Sequence, residues 1–181
     1  MSQTHEIIMS GFGGQGIMLM GQLLTYAGML EGKEVTWIPS YGPEMRGGTA
    51  NCSVIVSSAE IHSPVIEQAD AGIVLSQPSY EAFLGRIRPG GALVVNSSII
   101  DTSVKRRDDI ELIEVPATDL AHDLGRPALA NMVCLGALLP HLQLVDEASV
   151  SKAVQAVVGK KKPEMFDLNM KAVQQGLAGR S

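Results

Sequence analysis

The chain has few cysteines, and this scarcity excludes several kinds of metal centre. Only two occur among its 181 residues, Cys52 and Cys134. An iron–sulfur cluster takes four thiolates and a cysteine-type zinc site takes a similar set, so two cysteines supply neither. Nothing else in the sequence indicates a disulfide-bonded secreted scaffold. We therefore expect both cysteines to be reduced, buried thiols.

Charges and aromatic residues are also scarce, at 18% and 4% of the chain, whereas hydrophobic residues make up 45%. The 14 Lys and Arg residues are outnumbered by 19 Asp and Glu residues, which gives a net charge of -5. Nucleic-acid binding depends on clustered cations that neutralise phosphates, so the composition predicts no nucleic-acid partner. The apolar content is too high for disorder, and the length predicts a single domain spanning residues 1–181.

Two long stretches, residues 7–30 and 127–145, carry no charge at all. Each has the length of a membrane span, but the first contains six glycines and two glutamines, and the second contains Pro140 and His141. Both are better interpreted as buried elements of a soluble protein. The N-terminus is polar and has no signal-peptide pattern, so the sequence predicts a cytoplasmic protein without membrane contact.

Apolar runs alternate with helical patterns over residues 1–115. Short runs bounded by glycine or proline predict strands at 6–10, 35–38, 51–58, 71–75, 92–95 and 110–115. Helical spacing of apolar residues predicts helices at 17–30, 79–88, 128–142, 148–158 and 165–177. The order predicts an α/β fold of the Rossmann-like, doubly wound type, with a mostly parallel sheet over residues 1–115 and added C-terminal helices over residues 116–181.

A first glycine loop stands between the first strand and the first helix. It matches G-x-G-x-x-G with Gly11, Phe12, Gly13, Gly14, Gln15 and Gly16. Such a loop can direct backbone N–H groups at a phosphate or carboxylate, and it can equally let another backbone pack very close. An NAD site also needs an acid at the end of the second strand, where this chain has Pro39 and Ser40. That disfavours a dinucleotide, and a P-loop lysine is absent after Gly16.

A second glycine loop follows the second strand and comprises Tyr41, Gly42, Pro43, Glu44, Met45, Arg46, Gly47 and Gly48. We expect it at the carboxyl edge of the sheet, beside the first loop, where open α/β sheets bind their ligands. Glu44 and Arg46 carry opposite charges on one short segment. Either they pair and hold the loop on its own domain, or Arg46 binds an anion or an acidic group across a subunit interface.

A third motif comprises Asn131, Met132, Val133, Cys134, Leu135, Gly136 and Ala137. With the two glycine loops in this order, essentially the whole chain resembles the gamma subunit of 2-oxoacid:ferredoxin oxidoreductases. The resemblance implies a multi-subunit enzyme that oxidatively decarboxylates a 2-oxoacid with thiamine diphosphate, Mg, coenzyme A and iron–sulfur clusters, and passes electrons to ferredoxin. It also implies partner subunits of alpha, beta and delta type. Pyruvate, 2-oxoglutarate, branched-chain and indolepyruvate versions share the domain, and the separate chain of this length most resembles a 2-oxoglutarate enzyme.

The residues themselves predict that this chain supplies shape rather than chemistry. It has no Gly-Asp-Gly stretch for a metal-bound thiamine diphosphate, and its histidines lack metal-ligand spacing. We therefore predict no catalytic residue, no metal ligand and no cofactor held by this chain alone. The glycine loops are expected to pack at the assembly interface and to shape the coenzyme A or substrate entrance. Asn131 either hydrogen-bonds a neighbouring loop or reaches that interface.

The uncharged first helix, with Met18, Met20 and Met29, predicts a homodimer of the isolated subunit, although ordinary core packing also accounts for such methionines. Two other functions remain open from the residues alone. One is a free-standing NAD(P)-dependent oxidoreductase that uses the first glycine loop. The other is a non-catalytic module that binds a coenzyme A ester or another anion.

Overall fold

The computed structural model describes residues 3–42 and 48–179. Within these ranges the strands are β1 (Thr4–Phe12), β2 (Glu34–Tyr41), β3 (Thr49–Ser57), β4 (Ala69–Val74), β5 (Ile87–Asn96) and β6 (Glu111–Val115). The α-helices are α1 (Ile17–Leu30), α2 (Gln77–Phe83), α3 (Ala117–Asp123), α4 (Ala130–Leu138), α5 (Glu147–Val154) and α6 (Pro163–Ala178). The predicted change from an α/β pattern to helices alone after β6 is confirmed.

The strands form one mixed sheet in the order β2-β3-β1-β4-β5-β6. β3 pairs antiparallel with β1 and β2, while β1, β4, β5 and β6 pair in parallel. Among the described strands only β3 therefore runs against the others, and the predicted mostly parallel α/β sheet is confirmed. The carboxyl ends of β1, β2, β4, β5 and β6 consequently lie along one edge, here called the carboxyl edge.

Helices cover both faces of the sheet because side chains alternate along the strands. Ile7 and Met9 of β1 face the larger helical layer, which contains α1 and α4, while Ile8 faces a smaller cluster around Tyr80 of α2. Residues 131–139 are all buried, because α4 lies between the sheet and α6. The prediction that the uncharged stretch 127–145 belongs to a buried element is therefore confirmed.

The prediction that Pro39 closes the second strand is wrong, since β2 continues to Tyr41. Gly42 N–H donates to the Thr49 carbonyl at 2.9 Å. Because antiparallel bonding alternates, the even-numbered residues of β2 bond to β3, and position 39 faces the open edge of the sheet. The missing N–H of Pro39 therefore costs no ladder hydrogen bond, and the proline also blocks further strand pairing at this edge.

The helix predicted at 79–88 is also shorter than expected. α2 ends at Phe83, a 3-10 turn follows at Leu84–Arg86, and β5 already begins at Ile87. Pro89, Gly90 and Gly91 lie within β5 as a bulge: Ala69 pairs with Ile87, whereas Ala71 pairs with Ala92. Gly90 has a φ of +79°, which supplies the turn that the extra residues need.

The backbones of α4 and α6 touch at two glycines. A Cβ atom added to Gly136 would lie 2.0 Å from the Val173 carbonyl oxygen, and one added to Gly176 would lie 1.9 Å from the Val133 carbonyl oxygen. Neither glycine has a positive φ. Glycine is therefore required at these two positions by the close contact between the helices and not by the backbone conformation. This crossing holds α4, which carries Asn131, in place behind the carboxyl edge.

A hydrogen bond that involves the titratable side chain of His5 joins the start of β1 to the segment before α5. The His5 imidazole accepts a hydrogen bond at Nε2 from the Gln143 backbone N–H at 3.1 Å. Burial lowers the pKa of His5 below its ordinary value, Arg88 lowers it further, and Asp70 opposes the shift. The unfolded chain therefore binds the His5 proton more readily than the folded chain does.

Stability should therefore fall as the pH decreases below about 6.5, where the unfolded state takes up the proton first. Denaturant unfolding between about pH 7.5 and pH 5 tests this in the wild type and in His5→Gln, which retains an acceptor but does not titrate. The wild type should lose more stability across this interval than the variant. Equal pH dependence of the two proteins would show that His5 is not the responsible group.

Candidate functional site

The first glycine loop lies at the carboxyl edge and is held from within by Gln15. The Gln15 Oε1 atom accepts a hydrogen bond from Phe12 N–H at 2.6 Å, and its Nε2 atom donates to the Leu75 carbonyl at 2.8 Å. Leu75 follows β4, so this side chain ties together the ends of β1 and β4. Both polar ends of Gln15 are engaged inside the protein, and its role is to fix the loop.

Gly16 and Asn131 form the second fixed point of the loop. Gly16 has a φ of +80°, and the Asn131 Nδ2 atom donates to its carbonyl oxygen at 3.3 Å. A Cβ atom on Gly16 would lie 2.2 Å from that same Nδ2 atom. Asn131 is buried, and its Oδ1 atom accepts from Met132 N–H at 2.9 Å. Of the two roles considered for Asn131, the structure shows the hydrogen bond to a neighbouring loop.

The two glycine loops are adjacent, as expected. Gly13 N–H donates to the Gly48 carbonyl at 3.0 Å, which joins the turn after β1 to the start of the β3 strand. Tyr41 stands at the edge of this junction with 62% of its surface exposed. The remaining predicted residues of the second loop, Pro43, Glu44, Met45, Arg46 and Gly47, lie outside the described residues. The roles of Glu44 and Arg46 therefore stay predictions.

The first backbone N–H groups of α1 have no partner within the helix. The first intrahelical bond runs from Met20 N–H to the Gly16 carbonyl at 3.2 Å, so the N–H groups of Ile17, Met18 and Leu19 have no partner within the helix. No side chain caps this end, and its first turn contains no acidic residue. The partial positive charge of the helix N-terminus is thus uncompensated within the described residues, and it favours an anion or a carbonyl group from outside.

Two small clefts flank the first glycine loop. The cleft on the β3 side has a volume of about 270 Å³ and is bordered by the exposed rings of Phe12 and Tyr41. The cleft on the β4 side has a volume of about 150 Å³ and is bordered by Gln15, Asn96 and Asn131. Complete small-molecule sites measure about 300–1,000 Å³. Both clefts, as the described residues form them, are smaller than this.

Asn96 and Thr118 belong to this edge although they were not among the predicted site residues. Asn96 ends β5, and its amide donates to Thr118 Oγ1 at 2.9 Å and accepts from Thr118 N–H at 3.2 Å. These bonds fix the start of α3 against the sheet. The sequence contains a pattern that could have identified Asn96, because Asn96 directly follows the apolar run 92–95. Polar residues at the ends of parallel strands collect at one edge of the sheet.

The sheet order adds a structural reason against a dinucleotide site. In a Rossmann site the second strand lies beside the first, so that its terminal acid reaches the ribose. Here β3 separates β1 from β2, which places the end of β2 about 10 Å from the end of β1. The sheet order and the lack of an acidic residue at the positions of Pro39 and Ser40 therefore both disfavour a dinucleotide site.

The two cysteines are buried and unpaired with each other, as predicted. Burial raises the pKa of Cys52 to about 11, and complete burial raises the pKa of Cys134 further. Among residues 3–42 and 48–179 no group of three or more His, Cys, Asp or Glu side chains is arranged to hold a metal ion. The thiols therefore do not fit an iron–sulfur cluster.

Both thiols should be almost inert toward an aromatic disulfide reagent at about pH 8, reacting at least about 100-fold more slowly than in the unfolded chain. Stopped-flow absorbance with and without denaturant measures this difference. Rapid labelling of one thiol in the folded protein would contradict the burial of Cys52 and Cys134.

Within the described ranges, every helix is too short or too polar to cross a membrane. The carboxyl edge combines a first glycine loop fixed by internal bonds, helix N–H groups that have no partner within their own helix, and two small clefts. Together with the mixed sheet, these features define an α/β domain with a candidate binding surface at its carboxyl edge.

Comparison with known proteins identifies the class more closely. The sequence model of the pyruvate ferredoxin/flavodoxin oxidoreductase family matches residues 6–179, and the chain belongs to this family. It is 34% identical over 172 residues to ketoisovalerate oxidoreductase subunit VorA of Methanothermobacter marburgensis, covering 94% of this chain. The chain spans only about a third of that relative, 35% of its length.

A second relative is of similar length. 2-Oxoglutarate synthase subunit KorC of Methanocaldococcus jannaschii is 36% identical over 157 residues, which cover 86% of this chain and 84% of KorC. The comparisons thus support a subunit of an oxidoreductase complex, and they do not support the free-standing NAD(P) enzyme or the independent binding module.

Solved structures agree with this assignment. The gamma subunit of keto/oxoacid ferredoxin oxidoreductase from Geobacter sulfurreducens has a TM-score of 0.81 and 31% identity, with 97% of each chain covered. The 2-oxoglutarate:ferredoxin oxidoreductase of Magnetococcus marinus, with 2-oxoglutarate, coenzyme A and succinyl-CoA bound, has a TM-score of 0.88 and 25% identity. The match covers 97% of this chain and 31% of that one.

Proposed function

We propose that this chain is the gamma-type subunit of a thiamine diphosphate-dependent 2-oxoacid:ferredoxin oxidoreductase, which converts a 2-oxoacid to its acyl-CoA and passes the electrons to ferredoxin. The observation that carries the proposal is the carboxyl edge: its first glycine loop is fixed by internal bonds, yet both flanking clefts are smaller than a complete small-molecule site. A surface of this kind is suited to complete a site on a partner subunit.

The chain's own residues indicate which cofactors other subunits hold. Two buried thiols with raised pKa values do not fit a cluster, and the sequence has no Gly-Asp-Gly stretch for a thiamine diphosphate bound through Mg. Alpha-, beta- and delta-type subunits therefore hold these groups, and ferredoxin meets the complex through them. This subunit acts as a scaffold in the cytoplasm.

The substrate of the assembled enzyme is 2-oxoglutarate or a related 2-oxoacid. The similar length of KorC, a 2-oxoglutarate synthase subunit, supports this choice. The Magnetococcus marinus enzyme, whose structure contains 2-oxoglutarate and coenzyme A, provides a second support.

Co-purification tests the assignment directly. The chain, tagged and isolated from its native host, should bring down larger subunits whose complex absorbs in the iron–sulfur region and reduces a viologen dye only when a 2-oxoacid and coenzyme A are both present. A chain that elutes without such partners, or that binds NAD(H) with micromolar affinity in calorimetry, would contradict the assignment.

Within this enzyme the glycine-loop edge lines the coenzyme A or substrate entrance. The N–H groups of Ile17, Met18 and Leu19, which have no partner within their helix, offer donors to an anionic group, and Phe12 and Tyr41 offer exposed rings to a planar one. Arg46, in the adjacent second loop, supplies a forked cationic donor suited to phosphate.

Replacement of Arg46 tests this placement in the assembled enzyme. Arg46→Ala should raise the KM for coenzyme A about tenfold, as expected for a lost charged contact, while the subunits remain assembled. Arg106→Ala is the matched control, because Arg106 pairs with Glu114 of β6, the outermost strand on the side of the sheet away from β2. An unchanged KM together with unchanged assembly would remove Arg46 from the entrance.

A further inference from the structure

A cleft lies between α5 and α6, on the helical side of the sheet. It has a volume of about 580 Å³, which exceeds that of both clefts at the first glycine loop and falls within the range of complete binding sites. The two helices have different supports, because α6 packs mainly on α4 and α5 packs mainly on α1. The space between them is therefore left open to solvent.

The cleft is remote from the carboxyl edge. It is bordered by the start of α5, where the Ser149 hydroxyl donates a hydrogen bond to the Glu31 carboxylate. Glu31 is the C-cap residue of α1, whereas Gly16 at the other end of that helix belongs to the first glycine loop. The 14 residues of α1 span about 21 Å. The cleft is therefore separate from the proposed coenzyme A or substrate entrance.

The floor of the cleft is apolar. Phe166 and Met170 stand about one turn apart on α6, and both side chains are half-buried. Each packs against the main core and also lines the cleft. An aromatic ring and a thioether on a half-buried surface are typical of the centre of a protein interface, where aromatic residues and methionine are enriched.

The rim of the cleft is acidic. Asp146 and Glu147 are its charged residues, and both are exposed. The Ser149 N–H donates to Asp146 Oδ1 at 2.7 Å, and this bond holds the pKa of Asp146 below its ordinary value, with a smaller contribution from Lys152. Among the described residues that line the cleft, none is a Lys or an Arg. Two carboxylates thus border an apolar floor.

This combination is complementary to a guanidinium group. An arginine side chain pairs with carboxylates through its forked donors, and its planar face stacks on an aromatic ring. A wholly apolar occupant would bury the carboxylates of Asp146 and Glu147 without a partner, which is unfavourable. A second copy docked through the same face would bring like charges together. Charge complementarity therefore favours a basic segment of a different protein.

We propose that the cleft receives an arginine side chain from another subunit of the oxidoreductase complex, with its guanidinium group stacked on Phe166 and paired with Asp146 and Glu147. The inference rests on the proposed function, because it takes the partner from that complex. It adds a second docking surface, at the end of α1 away from the glycine loops, that acts in assembly and not in coenzyme A binding.

Charge reversal at Glu147 tests the contact in the assembled enzyme. Each form of the chain is titrated into the remaining subunits, and reduction of a viologen dye with a 2-oxoacid and coenzyme A is measured. Glu147→Lys should require about tenfold more chain for half-maximal activity, because the introduced positive charge repels the arginine. Glu67→Lys is the matched control, because Glu67 is exposed and follows Ile66 of the smaller cluster on the other face of the sheet. It should titrate like the wild type.

A second pair of variants tests the stacking. Phe166→Leu keeps an apolar side chain against the core but removes the ring, and it should weaken attachment by about fivefold. Phe83→Leu is its control, because Phe83 packs against the smaller cluster, away from the cleft. Glu147→Gln removes the charge without adding a new one and should weaken attachment by about threefold, so the test does not depend on the folding of Glu147→Lys.

The outcomes separate this contact from the proposed function. At saturating concentrations of the Glu147 and Phe166 variants, the KM for coenzyme A should equal that of the wild type, because the cleft is remote from the entrance. A wild-type chain that does not restore dye reduction would contradict the proposed function and this inference with it. Restoration by the wild type, combined with unchanged titrations of the variants or with a raised KM, would overturn the arginine contact alone. Self-association of the isolated chain that Glu147→Lys abolishes would place a second copy in the cleft and would also overturn it.

Discussion

Gly136→Ala should lower the free energy of unfolding by about 3 kcal/mol, the largest effect expected for so small a change. Alanine is normally the better helix former, by up to about 1 kcal/mol. At this position the new methyl group would lie 2.0 Å from the Val173 carbonyl oxygen of α6, which is backbone and does not rotate away. The two helices must separate, so the steric cost exceeds the gain in helix propensity.

Urea denaturation and thermal unfolding measure this effect, which corresponds to a Tm decrease on the order of 10 °C in a chain of this size. Gly85→Ala is the matched control, because no atom lies within 4 Å of the position of its added Cβ. It should change stability by no more than about 0.5 kcal/mol. Equal stabilities of the two alanine variants would contradict the close contact between α4 and α6.

Gly16→Ala should weaken the attachment of this subunit to its partners by about tenfold or more, whereas Gly32→Ala should leave the attachment unchanged. Both glycines have a positive φ, +80° and +66°, so alanine costs about 1 kcal/mol of backbone strain at either position. Only at Gly16 does the new Cβ also meet the Asn131 amide, at 2.2 Å. Asn131 must then move, and the first glycine loop loses one of its two fixed points.

Comparison of the two variants distinguishes a general loss of stability from a change in the structure of the carboxyl edge. Each is added to the remaining subunits, and the 2-oxoacid-dependent and coenzyme A-dependent reduction of a viologen dye is measured against the concentration of added chain. Gly16→Ala should shift this titration to higher concentration, with stability reduced by only about 1 kcal/mol more than in Gly32→Ala. Coincident titration curves would show that the loop geometry does not matter for assembly.

The strands and helices could be predicted from local patterns, but the order in which the strands pair in the sheet could not. β1, α1 and β4 follow apolar runs and helical spacing closely. Pro39 was expected to end β2 because a proline interrupts a strand that is bonded on both sides. It does not end this one, because β2 is an edge strand, and the pairing order is a property of the whole sheet.

In the candidate site, too, some contacts could be predicted from local patterns and others could not. The adjacency of the two glycine loops could be predicted, because the ends of β1 and β2 lie on the same edge, and the bond from Gly13 to Gly48 confirms it. The contact of Asn131 with Gly16 spans 115 positions in the chain, and no local pattern indicates which loop the side chain reaches. Gln15 was assigned to the site for its place in the motif, yet its amide serves to join β1 to β4.

The most direct test of the account is a comparison of the purified chain with the reconstituted complex. The isolated chain should show no visible absorbance and no reduction of a viologen dye with any 2-oxoacid and coenzyme A, and its addition to the remaining subunits should restore turnover. Turnover by the chain alone, or a redox chromophore bound to it, would contradict the claim that it contributes structure while its partners contribute the reacting groups.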